Sequence, residues 1–395
     1  MLKKLLPCLG NYKKYAVLTP VMVIGEVILE IFIPLIMARI IDVGISKSDI
    51  DYVVRMGALM VLMALFALLF GALSGRFAAV ASMGFAKGIR KTLFDKIQEF
   101  SFANIDKFST ASLITRLTTD INSVQMAFMM TIRMLVRAPI MLVSATVMAI
   151  VINARLAVIF LAAIAFLGGA LYFIATRAYP RFKAMLEKYD SMNASVQEDL
   201  IAIRVVKAFI REEHENEKFR AAADAVRKAQ LKAEKMLILN MPIMQFAMYC
   251  CMIAISWFGG RMIIGGTLLT GEFMSFISYV GQIMMSLMMI SFVFVVVVMS
   301  RASAFRIAEV LDEEIDIRNS SGSKDLKVED GSVVFDSVSF SYSKNKENLT
   351  LNDCSFEIKS GETVGIIGGT GSGKTSLVQL IPRLYDVIGG RVLVG

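Results

Sequence analysis

Residues 363–384 read TVGIIGGTGSGKTSLVQLIPRL, and this stretch predicts the fold of the C-terminal part of the chain. Residues 363–367 form a short apolar run typical of a buried strand, and residues 376–384 have the pattern of a helix. Between them, residues 368–375 match the spacing GxxxxGK[ST]. A strand, a glycine-rich loop and a helix in this order predict a P-loop, in which phosphate groups meet the start of a helix.

The residue types of this loop suit phosphate binding. Glycines let the backbone approach a phosphate closely and point its N–H groups inward. Lys374 is expected to reach the β- and γ-phosphates, and the Thr375 hydroxyl is expected to hold Mg²⁺. An ordinary glycine-rich turn is the alternative. The predicted nucleotide site comprises Gly368, Gly369, Thr370, Gly371, Ser372, Gly373, Lys374, Thr375 and Ser376.

Upstream of this loop the chain is strongly apolar. Of its 395 residues 56% are hydrophobic and the mean hydropathy is +0.63, whereas soluble proteins are about 45–50% apolar. The net charge of +8 comes from basic residues spread between apolar runs, so no nucleic-acid partner is expected. Six runs are long enough to cross about 30 Å of hydrocarbon. They are residues 15–40, 56–80, 136–152, 156–176, 237–264 and 273–299.

The connections between the apolar runs differ in charge. Lys and Arg concentrate before the first run, between the second and third, and between the fourth and fifth, which predicts that both termini are cytoplasmic. The two long connections, residues 81–132 and 177–236, contain good helix formers and almost no proline. We therefore expect membrane helices that continue into the cytosol. A separate surface helix after each span is the alternative.

A different pattern begins after the sixth run. Residues 319–324 (NSSGSK) suggest a polar linker, and apolar residues alternate with polar ones near residues 334–340 and 351–358. The predicted domains are residues 1–310 (transmembrane), 311–329 (linker) and 330–395 (nucleotide-binding). The predicted fold class is an α-helical membrane protein, with six transmembrane helices and long cytoplasmic extensions, followed by an incomplete α/β P-loop domain.

This organisation resembles a half-transporter of the ABC exporter family, which has the type IV transmembrane fold and includes multidrug and lipid exporters. Residues 108–120 (FSTASLITRLTTD) are similar to the family's first coupling loop and residues 198–209 (EDLIAIRVVKAF) to the second. Ala111 and Ala202 stand where many members have glycine. The resemblance covers essentially the whole chain. It implies coupling roles for Thr110, Arg116, Asp120, Glu198 and Arg204.

The resemblance also implies a mechanism and partners. Tyr342 matches the aromatic residue that stacks on adenine, although an ordinary tyrosine at a strand end is the alternative. ATP and Mg are the implied cofactors, and the implied partners are a second half-transporter, membrane lipid and a small amphipathic substrate such as a drug, lipid or peptide. The implied activity is alternating access. The implied location is a bacterial plasma membrane, with the N-terminus and the nucleotide-binding domain cytoplasmic.

Several family motifs do not occur in the sequence. No glutamine loop, signature motif, Walker B aspartate, catalytic glutamate or switch histidine follows the P-loop, and the single histidine, His214, precedes it in a charged segment. No catalytic residue is therefore assigned, and the chain is expected to be a fragment that binds nucleotide, cut from a longer ATP-hydrolysing protein. The alternatives are a non-hydrolysing regulatory subunit, an importer with the exporter fold, and a channel or secondary transporter with a regulatory nucleotide domain.

Charged and polar residues inside the apolar runs are the substrate candidates. Burying a charge in lipid costs several kcal/mol, so such residues face a cavity or a partner. Glu26 and Glu30 lie one helical turn apart, as do Arg133 and Arg137. These four residues could contact the substrate or could pair with one another. The 27 methionines suit an adaptable cavity but also ordinary packing. The sixth run includes Met284, Met285, Met288 and Met289, and in the fifth run Asn240 and Gln245 could bond either neighbouring helices or a ligand.

Overall fold

The computed structural model of the chain describes residues 5–317, 327–343 and 345–395, so the predicted linker 319–324 lies outside the described residues. The chain divides into two compact units. The transmembrane unit holds Lys14–Val80 and Phe128–Val297. The P-loop unit holds the described parts of Met1–Lys13, Ala81–Ala127 and Val298–Gly395. Helices that contribute residues to both units are described here by their bounds only.

Helix accounts for most of the chain. The first elements are a 3₁₀ helix at Leu6–Tyr12, α1 Lys13–Arg39, a π-helical turn at Ile40–Ile45, α2 Ile50–Gln98, α3 Phe102–Phe108, α4 Thr110–Thr115 and a π-helical turn at Arg116–Asp120. The next are α5 Ile121–Ile152, α6 Ala154–Ile201, α7 Ile203–Ala208, α8 Glu212–Ile238, α9 Asn240–Ile264 and α10 Thr270–Asp312. The C-terminal elements are β1 Val333–Phe340, β2 Leu351–Ile358, α11 Lys374–Leu380 and β3 Gly389–Val394.

Six helical segments of the described chain are long and apolar enough to cross a membrane, which confirms the predicted number of spans. Each segment is longer than its apolar run, and they contain between 40 and 53 residues. The proline-free stretch after the first loop is a single helix, α2, of 49 residues. At about 1.5 Å per residue such a helix exceeds the hydrocarbon thickness of a bilayer by a factor of more than two.

Apolar side chains from α5, α6, α9 and α10 form the main core of the transmembrane unit. Phe160 and Phe276 stack at its centre with ring centroids 5.6 Å apart, and both are fully buried. Small residues such as Ala145 and Ala149 let the helices approach closely, as is common between membrane helices. A smaller cluster joins Val27 and Ile31 of α1 to α5.

Hydroxyl groups connect α10 to α1 near a helix-internal proline. Pro34 lacks an N–H, so the Glu30 carbonyl has no helical donor at this point of α1. The Ser275 hydroxyl donates to the Pro34 carbonyl at 2.8 Å, and the Tyr279 hydroxyl donates to the Ile31 carbonyl at 2.9 Å. These two buried contacts fix the position of α10 along α1.

Asp42 holds the start of α10. Its carboxylate accepts the backbone N–H of Gly271 at 2.6 Å and that of Glu272 at 3.2 Å. These N–H groups belong to the first turn of a helix and have no partner within it, so an acceptor from another element satisfies them. Position 271 has no room for a side chain, because an added Cβ would overlap the backbone of Ala38.

The P-loop unit contains a three-stranded antiparallel sheet with the order β2-β1-β3. Phe335, Val338, Phe340 and Leu351 form its core together with Leu380 of α11. β1 and β2 agree with the two alternating segments that the sequence predicted. The sheet therefore confirms a β-containing region after the sixth span.

Two local predictions in this unit were wrong. Residues 363–367 do not form a strand; they lie outside the sheet, and Ile367 is 98% exposed. A strand needs hydrogen-bonded neighbours, and β1, β2 and β3 pair only with one another. The predicted helix 376–384 is observed as α11, which ends at Leu380. Pro382 explains the early end, because it has no backbone N–H to bond the carbonyl of residue 378.

The contacts between α1 and α10 give a stability prediction. We expect Tyr279→Phe to lower the free energy of unfolding by about 1 kcal/mol, because the Ile31 carbonyl loses a buried hydrogen-bond donor while the ring packing is kept. Thermal denaturation in detergent measures the effect. Tyr172→Phe is the control, since Tyr172 is 74% exposed. Equal melting temperatures for the two variants would contradict this role of the hydroxyl.

Candidate functional site

Two glycines of the P-loop have a backbone conformation that favours glycine. Gly371 and Gly373 have φ angles of 84° and 87°, a left-handed region that favours glycine. An added Cβ at Gly373 would lie 2.9 Å from a methyl carbon of Leu351 and 3.2 Å from the Thr350 carbonyl oxygen. The loop therefore packs against the start of β2 with no space for a side chain, and α11 begins at the next residue.

The Lys374 ammonium lies over the loop that precedes it. Its Nζ donates to the carbonyl oxygens of Gly368 and Gly369, each at 2.7 Å, and contacts the Ser372 hydroxyl at 3.4 Å. These groups are on the exposed side of the loop. The positive charge therefore stands where phosphate oxygens can replace the carbonyl groups as its partners. Gly368, Gly369, Thr370, Gly371 and Ser372 are all exposed.

Thr375 is the residue of this loop that suits Mg²⁺. It is exposed, and its hydroxyl makes no hydrogen bond within the part of the chain that the structure describes. Magnesium sites in nucleotide-binding proteins use one or two protein oxygens together with phosphates and water. No cluster of three His, Cys, Asp or Glu side chains among the described residues could hold a metal ion. The residues present fit a metal held jointly with a nucleotide.

Tyr342 lies beside the P-loop helix. Its hydroxyl is 2.9 Å from the Ser376 hydroxyl and donates to Gln379 Oε1 at 3.1 Å. Its ring meets Phe340 edge to face with centroids 4.9 Å apart, and 48% of the residue stays exposed. The predicted adenine-stacking residue and the predicted phosphate-binding residues are thus brought together by α11 and β1.

Tyr385 connects Tyr342 to α3, which leads into the first coupling-type loop. The two tyrosine rings meet edge to face at 5.1 Å, and Tyr385 also contacts Phe102 of α3 at 6.2 Å. The Tyr385 hydroxyl donates to Asp106 Oδ2 at 2.9 Å. Burial, the hydrogen bond to Asp106 and its negative charge together raise the pKa of Tyr385 to about 12. The phenol therefore remains protonated, and remains a donor, throughout the neutral range.

Two ion pairs attach the π-helical turn at Arg116–Asp120 to α10. Arg116 is 7% exposed; it donates to the Arg306 carbonyl at 2.7 Å and pairs with Glu309 at 2.8 Å. Its guanidinium lies 4.8 Å from the Phe108 ring centroid. Asp120 is 1% exposed and accepts two hydrogen bonds from the Arg306 guanidinium, one of them at 2.8 Å. The predicted coupling residues Arg116 and Asp120 are therefore fixed by one helix.

The two residues directly after α10 bind α3 as well. Lys107 pairs with Glu313 at 2.7 Å, and the Asn104 side-chain amide donates to the Glu314 carbonyl at 3.0 Å. The Ser101 and Asn104 side chains form a capping box at the start of α3. This first loop therefore has a defined geometry. Thr110, which was predicted to take part in coupling, is the exposed first residue of α4.

The second coupling-type segment has few side-chain contacts. Glu198 pairs with Lys218 of α8 at 3.3 Å, and both side chains are exposed, which makes the pair weak. Arg204 is exposed on α7 and makes no ion pair among the described residues. The short helix α7 has no buried residue at all.

The structure pairs three of the four predicted substrate residues with one another. Arg137 contacts Glu26 at 2.5 Å and Glu30 at 2.7 Å. Glu26 is 8% exposed, and its Oε2 atom is buried without a hydrogen bond in the described chain. Gly71 makes room for it, since an added Cβ there would lie 2.8 Å from Glu26 Oε1. The geometry supports a structural ion cluster for these three residues.

Arg133 stands apart from this cluster. Its guanidinium lies over Gly75, where an added Cβ would be 3.6 Å from Nη1. It makes no ion pair within residues 5–317, 327–343 and 345–395. The four candidates therefore do not form one site.

Sequence reasoning missed the residues that join the P-loop region to the first loop. Asp106 and Tyr385 are 279 positions apart and meet only through the fold. Glu309 and Glu313 look like ordinary polar residues at the end of a helix. The one signal of this connection in the sequence was an aromatic residue, Tyr385, shortly after the P-loop helix.

Six apolar helices joined to a P-loop define an integral membrane protein that binds ATP. Two family profiles match the chain: the ABC transporter transmembrane region over residues 17–287 and the ABC transporter domain over residues 351–395. The chain therefore belongs to the ABC transporter family, and it joins the transmembrane and ATP-binding regions in one polypeptide. The resemblance found in the sequence is thus confirmed.

Several curated relatives share this organisation. The chain is 34% identical to YfiB, an uncharacterized ABC transporter ATP-binding protein of Bacillus subtilis, over 100% of the chain and 68% of the relative. It is 32% identical to an uncharacterized ABC transporter ATP-binding protein of Mycobacterium tuberculosis, over 97% of the chain and 66% of the relative. A fatty acid ABC transporter ATP-binding/permease protein of Mycobacterium bovis is 29% identical over 78% of the chain and 48% of its own length. The chain thus spans half to two thirds of the length of these relatives.

The hydrogen bond between Tyr385 and Asp106 gives a second prediction. We expect Tyr385→Phe to weaken the attachment of α3 by about 1 kcal/mol, because the ring stays while the charge-assisted bond at a partly exposed site is lost. Hydrogen–deuterium exchange of residues 102–108 should become about fivefold faster, and nucleotide affinity should stay the same. Tyr179→Phe, at an exposed position, is the control. Unchanged exchange in α3 would contradict the prediction.

The Arg137 cluster gives a third prediction. Arg137→Gln should destabilise the protein by about 3 kcal/mol, because two carboxylates lose their shared counter-charge in an apolar environment. The triple change of Glu26, Glu30 and Arg137 to glutamine should recover most of that loss. Thermal denaturation in detergent measures both effects. Arg133→Gln serves as the control one helical turn away, and an equal loss of stability in that variant would show that the pairing is not the cause.

Proposed function

We propose that the protein is one half of an ATP-driven exporter in which nucleotide binding changes the access of the membrane helices. The observation that carries the proposal is the contact of Tyr385 with both Tyr342 and Asp106. It joins the residue proposed to stack on adenine to α3, the helix that leads into the segment resembling the family's first coupling loop. A nucleotide that displaces the Tyr342 side chain would therefore move a group in contact with α3.

The P-loop residues have separate roles in this proposal. The backbone N–H groups of the loop bind the phosphates, Lys374 exchanges its carbonyl partners for phosphate oxygens, and Thr375 holds Mg²⁺ with them. Mg²⁺ supplies neutralisation of phosphate charge when it is bound. Binding can drive a conformational change only if the closed arrangement binds nucleotide more tightly than the open one. In this proposal hydrolysis then resets the cycle.

A second half-transporter is part of the proposal. The segment around α7 exposes several large apolar residues that no element of its own unit covers: Leu200, Ile201, Val205, Phe209 and Ile210. Exposed apolar patches of this kind mark protein interaction sites. The resemblance of residues 198–209 to the second coupling loop supports a partner's ATP-binding domain as the group that covers them. Either a copy of this chain or a different half would serve.

The proposed location is the bacterial plasma membrane with both termini cytoplasmic. The uneven distribution of Lys and Arg among the connections supports this orientation. The proposed substrate is a small amphipathic or hydrophobic molecule. The name of the mycobacterial relative, a fatty acid ABC transporter, supports a lipid-like substrate. Import through the same fold is the alternative direction.

ATP hydrolysis by the protein expressed from its complete gene tests the proposal. We expect activity in nanodiscs that falls about a hundredfold in Lys374→Ala, because the loop loses the cation that contacts the transferred phosphoryl group. Lys346→Ala, which changes an exposed lysine in the turn between β1 and β2, is the matched control and should keep full activity. Nucleotide binding is measured on the same samples.

The outcomes separate the two functional classes. Hydrolysis that depends on Lys374 and is stimulated by an amphipathic compound supports the exporter. Binding of nucleotide that depends on Lys374, without hydrolysis in the presence of any partner half, would instead support a regulatory subunit. Hydrolysis that is unaffected by Lys374→Ala would overturn the assignment of the P-loop.

A further inference from the structure

The Tyr342 side chain has contacts at its hydroxyl end and around its ring. β1 ends at Phe340, and Tyr342 lies two residues further on, in a turn outside the sheet. Strand pairing therefore does not set the position of this side chain. The hydrogen bonds of its hydroxyl and the aromatic rings beside it do so.

The hydroxyl of Tyr342 has two partners on α11. It donates to Gln379 Oε1 at 3.1 Å and lies 2.9 Å from the Ser376 hydroxyl. A phenol carries a single hydrogen, and an amide oxygen can only accept. Because that hydrogen is directed to Gln379, the Ser376 hydroxyl is the donor in the second bond. Ser376 is 6% exposed, so its hydroxyl is committed to this contact.

Both partners belong to the helix that carries the lysine of the P-loop. Ser376 and Gln379 are three residues apart, about one helical turn, and α11 begins at Lys374. Leu380 of the same helix is 3% exposed and packs in the core of the sheet. The cation of the P-loop and the two residues that bond Tyr342 are therefore parts of one short helix that is fixed to the sheet.

The ring of Tyr342 has perpendicular neighbours. Phe340 and Tyr385 meet it at interplanar angles of 76° and 88°, with centroids 4.9 and 5.1 Å away. No ring of the described chain is stacked parallel on it, and 48% of the residue is exposed. A base stacks on the face of an aromatic ring. The contacts therefore orient the ring and leave surface on which a base can stack.

We propose that Gln379 is a positioning residue for binding of the nucleotide base. Together with Ser376 it holds the Tyr342 ring in the orientation on which adenine stacks, so less side-chain freedom is lost when the nucleotide binds. This inference rests on the proposed function, in which Tyr342 stacks on adenine. The two bonds fix only the hydroxyl end of the side chain, so the ring can still shift against Tyr385 when a base binds.

Two ligands separate binding of the base from binding of the phosphates. They are AMP-PNP, which carries adenine and is not hydrolysed, and inorganic tripolyphosphate, which has no base. Calorimetry measures both dissociation constants, with Mg²⁺ present, on the protein expressed from its complete gene in nanodiscs. The preference for AMP-PNP is the dissociation constant of tripolyphosphate divided by that of AMP-PNP. Because both ligands carry phosphates, this preference reports the base.

Gln379→Leu should lower the preference about fivefold, the effect of one lost hydrogen bond, and should leave the affinity for tripolyphosphate unchanged. Tyr342→Phe keeps a ring that can stack but loses the hydroxyl, so it should lower the preference at least as much. The double variant should equal Tyr342→Phe, because both changes remove the same bond.

Two further variants are controls. Gln379→Glu keeps an acceptor for the phenol and should keep the preference, even where its charge weakens both ligands. Asn352→Leu removes an exposed amide on β2, whose side chain has no hydrogen bond among the described residues, and should change neither affinity.

Each result supports or overturns the positioning role. An unchanged preference in Gln379→Leu, a lost preference in Gln379→Glu, or independent losses that multiply in the double variant would overturn it. Weakening of tripolyphosphate in Gln379→Leu to the same extent as AMP-PNP would overturn it too, because the change would then act on the phosphate site. If Gln379→Leu did not fold, an unchanged preference in Tyr342→Phe would still be decisive against the role.

Tyr342→Ala tests the proposed function separately. If this variant keeps the full preference, Tyr342 does not stack on adenine, and both the stacking and the positioning role are contradicted. If it loses the preference while Gln379→Leu keeps it, only the positioning role is contradicted.

Discussion

The apolar interior of a bilayer provides no hydrogen-bond partner for a peptide group, and most of this structure follows from that constraint. Each spanning segment has to satisfy its own backbone, and all six candidate spans of the described chain are helices. Side chains from other elements bond further backbone groups. Tyr279 and Ser275 donate to carbonyls of α1 near Pro34, and Asp42 accepts N–H groups at the start of α10.

The same constraint governs the charged residues within the membrane helices. Arg137 lies between Glu26 and Glu30, and Gly71 leaves room for the first of these carboxylates. Burying a guanidinium with two carboxylates costs free energy, but separating these charges once they are buried costs far more. The cluster is therefore a poor candidate for a site that opens to release substrate.

In the P-loop unit, one aromatic side chain links Tyr342 to α3. Tyr385 contacts the residue proposed to stack on adenine and donates to Asp106 of α3, the helix that leads into the first coupling-type loop. Arg116 and Asp120 attach that loop to α10, and Lys107 adds a third ionic contact. Tyr385 thus forms a path of contacts from Tyr342 to α3, and in the proposed function a displacement at Tyr342 would reach α3 along it. Residues 363–367 of this unit differ from the parts just described, since they have no neighbouring strand and remain exposed.

The sequence by itself determined the number of spans, the unbroken helix α2, the first two strands and the position of the P-loop. Each of these depends on a pattern within a few tens of residues. The patterns are the length of an apolar run, the absence of proline, the alternation of apolar with polar residues, and the spacing of glycines and a lysine. Only the tertiary structure decided that Arg137 pairs with both glutamates, that Met285 lines a cavity while Met284 is core, and that Tyr385 meets Asp106. Those outcomes depend on which helix faces which, and side chains hundreds of positions apart carry no local signal of their contact.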